Sequence, residues 1–150
     1  MSTWQFDITE DWDTIYNEDY EKQWEEIMNN SPHAHVFFTP TLVKVWLDTY
    51  RPLRKLHPLF FLGINNRGVR VFMPLVLWQR NWKHAFMRTI VPVGYSDYDY
   101  HDPIFSEEVA AEEVADFWET LVDTLKSCCK FDEIQIDGLH KEFTPPPLVN

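Results

Sequence analysis

LHPLFFLGI at residues 56–64, the turn NNRG at 65–68 and VRVFMPLVLW at 69–78 form the stretch of sequence that decides the fold. Both apolar runs have the length of strands, and a short Asn- and Gly-containing turn between such runs is typical of a β-hairpin. Pro74 lies inside the second run and has no N–H to donate to a neighbouring strand. This predicts an edge position or a bulge at Pro74.

The segments on either side of the hairpin complete the element order β-α-α-β-β-β-α-β. Alternating apolar residues predict a first strand at 3–9, and apolar residues at helical spacing predict two helices before the hairpin, starting at Asn17 and Thr39. Beyond the hairpin we expect a strand, a helix and a last strand at residues 84–93, 106–126 and 131–136. This order predicts an α+β fold with a central, mostly antiparallel sheet flanked by helices.

The long helix after the meander has a clear amphipathic pattern. Ser106 is placed to cap its first turn, where Glu107 and Glu108 favour the positive end of the helix dipole. Phe117 and Leu121 lie on its apolar face. We therefore expect this face to pack on the sheet.

Composition predicts one globular domain over residues 1–150 with a substantial core, since 45% of the residues are hydrophobic and 16% aromatic. The net charge of −11 argues against nucleic acid as a partner. No apolar run approaches the ~18 residues of a membrane span and no leader pattern opens the chain, which predicts a cytoplasmic protein. The neighbours Cys128 and Cys129 are expected to be reduced thiols, because a bridge between adjacent cysteines is strained.

The charge is distributed unevenly along the chain. Residues 32–94 hold nine basic residues and one acidic residue, whereas residues 1–31 hold nine acids and one base, and residues 95–150 hold fourteen acids and three bases. Acidic helices could neutralise a basic sheet across the fold. Alternatively, the basic middle segment could face an anionic ligand.

The connection GYSDYDYHDPIF at residues 94–105 carries the densest set of chemically active side chains. It joins a predicted strand to a predicted helix, and such connections often carry function. We predict that it borders a concave surface and that Tyr98, Asp99, His101 and Asp102 contact a substrate, with the first three pointing partly to solvent. Two adjacent residues of an extended segment point to opposite faces, which disfavours His101 and Asp102 as a base with its orienting acid. The catalytic residues stay unassigned.

Two groups of side chains have part of the spacing of a metal site, and neither is complete. Asp97 and Asp99, with Asp102, are spaced like part of a Ca²⁺ loop, but the turn glycine and the distal Glu of an EF-hand are missing. His33 and His35 lie in a Pro-containing linker with no third ligand nearby in the sequence. The sequence therefore predicts no metal site.

Short motifs in a fixed order resemble a known group of transferases. There are three such motifs, in this order: FFTP at 37–40 with Trp46 further along, Gly68 followed by Pro74-Leu75, and SDY at 96–98 followed by Asp102-Pro103. Together they resemble the N-terminal GNAT-like half of CelD-type acetyltransferases of cellulose biosynthesis. That group is related to the Fem-type peptidoglycan aminoacyltransferases. The resemblance covers roughly residues 37–138.

The resemblance implies an acyltransferase half-domain. Such proteins carry two GNAT-like units, so residues 1–150 would be the first half of a longer chain, contributing the acceptor side of a cleft for a small-molecule acceptor. A GNAT unit binds the pyrophosphate of acyl-CoA on a glycine-rich loop that opens the helix after the fourth strand. Here residues 91–106 offer Gly94 alone and carry three aspartates.

This chain is therefore expected to hold no cofactor and to be inactive alone, with acyl-CoA bound by a second GNAT-like domain. The alternative is a non-catalytic GNAT-like binding or docking module.

Overall fold

The chain folds around a single sheet, and a computed structural model describes residues 3–145. Its strands and helices are β1 (Trp4–Thr9), α1 (Trp12–Ile15), α2 (Glu18–Asn30), α3 (Pro40–Tyr50), β2 (Lys55–Asn65), β3 (Arg70–Gln79), β4 (Arg88–Pro92), β5 (Ile104–Phe105), α4 (Ala111–Cys128) and β6 (Glu133–Ile134). Single 3₁₀ turns occupy Val36–Phe38, Trp82–His84 and Lys141–Phe143. The predicted α+β class is confirmed.

The sheet has the order β1-β2-β3-β4-β6. Strand β5 is outside this order and pairs with β3, which also pairs with β4. All pairs are antiparallel except β4 with β6, which run parallel. The predicted hairpin is the β2–β3 pair, and it forms the centre of the sheet. The sheet is therefore open and mostly antiparallel, as predicted.

Helices cover both faces of the sheet, because adjacent residues of a strand point to opposite sides. Phe60 of β2 meets Trp24 of α2, with ring centroids 6.2 Å apart. The next residue, Phe61, meets Phe6 of β1 at 5.3 Å, and Phe6 in turn meets Phe117 of α4 at 5.5 Å. The core thus consists of two aromatic layers, one under α2 and one under α4.

Pro74 is at neither an edge nor a bulge, contrary to the prediction. It lies in the interior strand β3 and pairs with Phe60 of β2. On its other side, β4 pairs with β3 only from Leu75 onward, and β5 pairs only as far as Phe72. The carbonyl oxygen of Pro74 accepts from the Val93 N–H at 3.0 Å on that side, so the proline nitrogen faces the gap between two partner strands.

The strand predicted at 84–93 is shorter than expected. Strand β4 begins at Arg88, and the residues before it form a 3₁₀ turn and a tight reversal. Ala85 and Phe86 both have φ of 55°, a left-handed conformation that ends any strand. Strand β6 is likewise limited to two of the six residues predicted at 131–136.

Helix α4 starts later than predicted. Ser106 does not cap it, because the Ser106 hydroxyl oxygen accepts from the Arg70 N–H at 2.8 Å and the Ser106 N–H donates to the Arg70 carbonyl oxygen at 2.8 Å. These bonds extend the pairing of β5 with β3. The first turn is instead capped by Glu113, whose Oε1 accepts from the Ala110 N–H at 3.0 Å.

The apolar face of α4 is buried as predicted, including Phe117 and Leu121. Cys128 and Cys129 at its C-terminus are free thiols, and burial raises the pKa of Cys129 to about 12, which keeps its thiolate scarce at neutral pH. Among residues 3–145, no helix combines the length and the hydrophobicity needed to cross a membrane.

Candidate functional site

Most of the segment predicted as the site, 94–105, lies in the loop at residues 93–103 between β4 and β5, which leaves β4 through a tight turn. Gly94 has φ of +95°, and a Cβ at this position would lie 2.4 Å from Cδ2 of the Tyr98 ring. The Gly94 carbonyl oxygen accepts from the N–H groups of Asp97 and Tyr98 at 2.9 and 2.8 Å. Only glycine combines this backbone angle with this close approach, so Gly94 fixes where Tyr98 lies.

The middle of the loop is attached to α3. The Tyr98 hydroxyl donates to the Leu42 carbonyl oxygen at 2.6 Å, and the Trp46 indole N–H donates to the Asp97 carboxylate at 3.0 Å. The Phe37 ring lies 5.4 Å from the Tyr98 ring. Burial, together with the nearby Asp97 charge, raises the pKa of Tyr98. The phenol is therefore a neutral hydrogen-bond donor that holds the loop against the helix.

The end of the loop is buried, and this corrects the prediction that His101 points partly to solvent. His101 and Asp102 are each 1% exposed. The His101 N–H donates to the Gly138 carbonyl oxygen at 2.9 Å, and its Nδ1–H donates to the Asp137 carbonyl oxygen at 3.0 Å. The Asp102 carboxylate accepts from the His140 N–H at 2.7 Å and from His140 Nδ1. The segment after β6 thus covers both residues.

His140 completes a pair with Asp102 that the sequence did not predict. The hydrogen bond to the Asp102 carboxylate raises the pKa of His140. The exposed ring of Tyr100 stacks on the His140 imidazole, with centroids 4.3 Å apart. Asp99 is exposed and Tyr98 half-buried, as predicted. The accessible part of the site is therefore Asp99, Tyr100 and His140.

His33 and His35 do not converge on one point. His33 Nε2 pairs with Glu108 at 2.9 Å on the surface, whereas His35 Nε2–H donates to the Asp102 carbonyl oxygen at 3.0 Å. Burial lowers the pKa of His35. His35 Nδ1 and His101 Nε2 are buried and have no hydrogen-bond partner among the described residues. Within residues 3–145, no group of three or more His, Cys, Asp or Glu side chains could hold a metal ion.

The start of α4 carries a carboxylate clamp formed by Glu113. Besides capping Ala110, this carboxylate accepts from Asn65 Nδ2 at 2.7 Å and from Arg67 Nε and Nη2 at 3.0 and 2.9 Å. The Arg67 guanidinium is the main cause that lowers the pKa of Glu113. The positive end of the helix is therefore already partnered by the protein's own anion.

A second region, at the opposite end of β3 from the clamp, was not predicted as a site. A groove of about 510 Å³ lies between the α3–β2 turn and the β3–β4 loop. The Arg54 and Arg80 guanidinium carbons lie 4.4 and 4.2 Å from the centre of the Trp78 ring in this groove. No carboxylate of the described residues lines it. The basic excess of residues 32–94 was the one sequence signal that pointed to it.

The loop after β4 is held by hydrogen bonds to segments far apart in sequence, whereas the loop after β3 is held by hydrogen bonds within residues 80–87. Comparison of the chain with known protein families, with curated proteins and with solved structures finds no match.

Proposed function

We propose that this chain is the acceptor-side half of a GNAT-like acyltransferase and does not itself hold acyl-CoA. The element order supports this proposal: β1 and the helices α1 to α3 precede the antiparallel strands β2, β3 and β4, and after the short strand β5 come α4 and β6, which runs parallel to β4. A second GNAT-like unit, in the same polypeptide or in a partner, would supply the acyl donor. A cytoplasmic setting, where acyl-CoA is available, belongs to the same proposal.

The observation that carries the cofactor part of the proposal is the Glu113 clamp. A helix N-terminus binds a phosphate group through free N–H groups and its positive dipole. In α4 the Ala110 N–H is bound by Glu113, and Arg67 neutralises that carboxylate. Glu107 and Glu108 precede the helix and add negative charge. A pyrophosphate approaching this end would meet carboxylates where it requires donors.

The acceptor would meet the accessible part of the loop. Asp99 offers an exposed carboxylate that attracts an amine, and the stacked Tyr100 and His140 rings offer a flat face for a sugar or an apolar group. His101 and Asp102 would act by holding the loop in place. Tyr98 would contribute the exposed edge of its ring.

The cofactor part of the proposal is tested by calorimetric titration. We expect no heat of binding with acetyl-CoA, and a micromolar Kd would overturn this part of the proposal. Glu113→Ala frees the Ala110 N–H and removes the carboxylate that pairs with Arg67, and should gain measurable affinity for inorganic pyrophosphate. Glu119→Ala, an exposed glutamate in the middle of the same helix, should gain none.

A second candidate is a non-catalytic GNAT-like docking module. The burial of His101 and Asp102 favours it, because no buried imidazole or carboxylate can reach an external substrate. Ligand-observed NMR with glucosamine, ethanolamine and glycinamide separates the two. Binding that Asp99→Asn abolishes supports the acceptor half-domain. If none of these amines binds the folded protein, the docking module is supported instead.

A further inference from the structure

The groove beside Trp78, called here the arginine groove, is lined by stacked cations without ionic partners. Arg54 lies over both Tyr50 and Trp78, and Arg80 lies over Trp78. Arg54 Nη1 and Arg80 Nε are buried and have no hydrogen-bond partner in the described part of the chain. A guanidinium stacked on a ring keeps its in-plane N–H groups for an anion, often a phosphate.

Two lysines extend this positive surface. Lys55 lies at the start of β2 and Lys83 in the β3–β4 loop, and both are exposed. Neither lysine forms an ion pair with a carboxylate of residues 3–145, and the same is true of Arg54 and Arg80. The protein as a whole has a net charge of −11, so this surface with four unpaired cations is opposite in sign to the net charge of the molecule. They point to an anionic partner at this end of the molecule.

Apolar side chains project from the same end. Leu53, Trp82 and Phe86 are 75%, 71% and 64% exposed, the three highest values among the large apolar residues that the structure describes as exposed. Leu53 and Phe86 line the arginine groove itself, and Trp82 lies in the same loop as Phe86. Apolar side chains this exposed indicate a surface that is covered in use.

The loop also keeps a strained backbone. Ala85 and Phe86 are consecutive left-handed residues, and neither is glycine. The Asn81 carbonyl oxygen holds the reversal by accepting from the N–H groups of His84 and Phe86, each at 3.0 Å. An aromatic residue in this conformation is uncommon, and such strain persists chiefly where function requires it.

We propose that this end of the protein docks on an anionic phospholipid surface. Leu53, Trp82 and Phe86 enter the headgroup layer, where Trp and other amphipathic rings are favoured. Arg54 and Arg80 take lipid phosphates, and the two lysines add attraction to the negative surface. This inference is independent of the acyltransferase proposal.

The exposed apolar side chains decide between anionic partners. A soluble phosphate in the arginine groove would leave Leu53, Trp82 and Phe86 in water. Nucleic acid would approach a protein of strongly negative net charge, which opposes extended backbone binding. The remaining acidic surface does not prevent local docking on a membrane, because charges beyond about 8 Å are screened at physiological salt.

The test is vesicle co-sedimentation of the full chain. We expect binding to phosphatidylcholine vesicles with about a third phosphatidylserine, no binding to pure phosphatidylcholine, and weakening by salt. Lys55→Gln with Lys83→Gln should lower the partition coefficient about fivefold per cation removed. Trp82→Ala with Phe86→Asn should lower it about tenfold or more, and Asn suits the left-handed backbone at this position.

Matched controls remove a positive charge or an apolar side chain elsewhere on the surface. Lys22→Gln on α2 and Val45→Ala on α3 change residues outside the arginine groove and should leave partitioning unchanged. Thermal melts confirm that each variant is folded.

Three outcomes would overturn the proposal. The first is the absence of binding to the phosphatidylserine vesicles, and the second is equal loss of binding in Lys22→Gln and in the groove variants. The third is binding of inositol trisphosphate or polyglutamate at the arginine groove without vesicle binding, which would identify a soluble phosphate or an acidic protein as the partner.

Discussion

The loop at residues 93–103 and the loop at residues 80–87 make an instructive pair. The first loop is rich in titratable side chains, yet its His101 and Asp102 are buried and bound by the segment at 137–140. The second loop has an ordinary composition, yet it holds Trp82 and Phe86 in water on a strained backbone. A sequence displays which chemical groups a loop carries, whereas the fold decides which of them a ligand can reach.

The largest effect should come from Asp102, the anchor of the first loop. Asp102→Ala removes charge-assisted hydrogen bonds to the His140 N–H and imidazole, each worth about 1.5–3 kcal/mol. We expect urea unfolding to show a loss of about 3–5 kcal/mol, below the full sum of the two bonds because the His140 ring left behind is partly solvated. Asp99→Ala, three residues earlier and exposed, should change stability by less than about 0.5 kcal/mol. Equal effects would show that the first loop is not anchored at Asp102.

A core substitution provides a reference for the loss of unfolding free energy expected from a substitution in the second loop. Leu121 is fully buried on the apolar face of α4, and Leu121→Ala should cost about 2–5 kcal/mol in urea unfolding. Trp82→Ala removes a much larger side chain and should cost less than about 0.5 kcal/mol, because Trp82 is already in water. A large loss in Trp82→Ala would mean that the second loop supports the fold.

The pH dependence of stability should show whether the pair of His140 with Asp102 holds the first loop in place. His140 has a folded-state pKa raised by Asp102, so its contribution is complete below pH about 6.5, the unfolded-state pKa. The contribution is lost as pH rises through the folded-state value. The difference in unfolding free energy between wild type and His140→Gln should therefore be larger at pH 6 than at pH 8. A difference that grows with pH would contradict the pairing.

Two glycine substitutions should produce small gains in stability. Phe86 in the second loop and Ser96 in the first have φ of 55° and 74°. Phe86→Gly and Ser96→Gly should each raise the unfolding free energy by up to about 1 kcal/mol, since glycine adopts this region without strain. Because Phe86→Gly also removes a ring of the proposed docking surface, it should weaken vesicle binding as well, whereas Ser96→Gly should not.

The sheet and its helices were predictable because their signals are local. The hairpin at 55–79, the apolar face of α4 with Leu121, and the α+β order follow from patterns within each segment. Two of the errors share one physical cause, which is a partner distant in sequence. Ser106 pairs with Arg70 instead of capping α4, and His101 is covered by Gly138.

The candidate sites were predictable only in part. Asp99 could be placed on the surface because it lies in a connection between a strand and a helix, and such connections run over the protein surface. The arginine groove could not be found, because it needs Arg54 and Trp78 to meet across two strands. An excess of basic residues in one part of the sequence predicts positive charge, but it does not predict where the fold places that charge.

Pro74 has a consequence for how this protein could be redesigned. If β4 were extended toward β5, or β5 toward β4, the added residues would lie beside Pro74 of β3, which has no N–H to donate. The opening between the two strands is therefore encoded in a third strand, and substitutions in β4 or β5 cannot close it. Residues could be inserted between Tyr98 and Tyr100 to fit a new ligand, provided that Tyr98 still reaches Leu42 and Asp102 still reaches His140. One imino acid thus determines where the sheet can accept new sequence without losing its existing strand pairs.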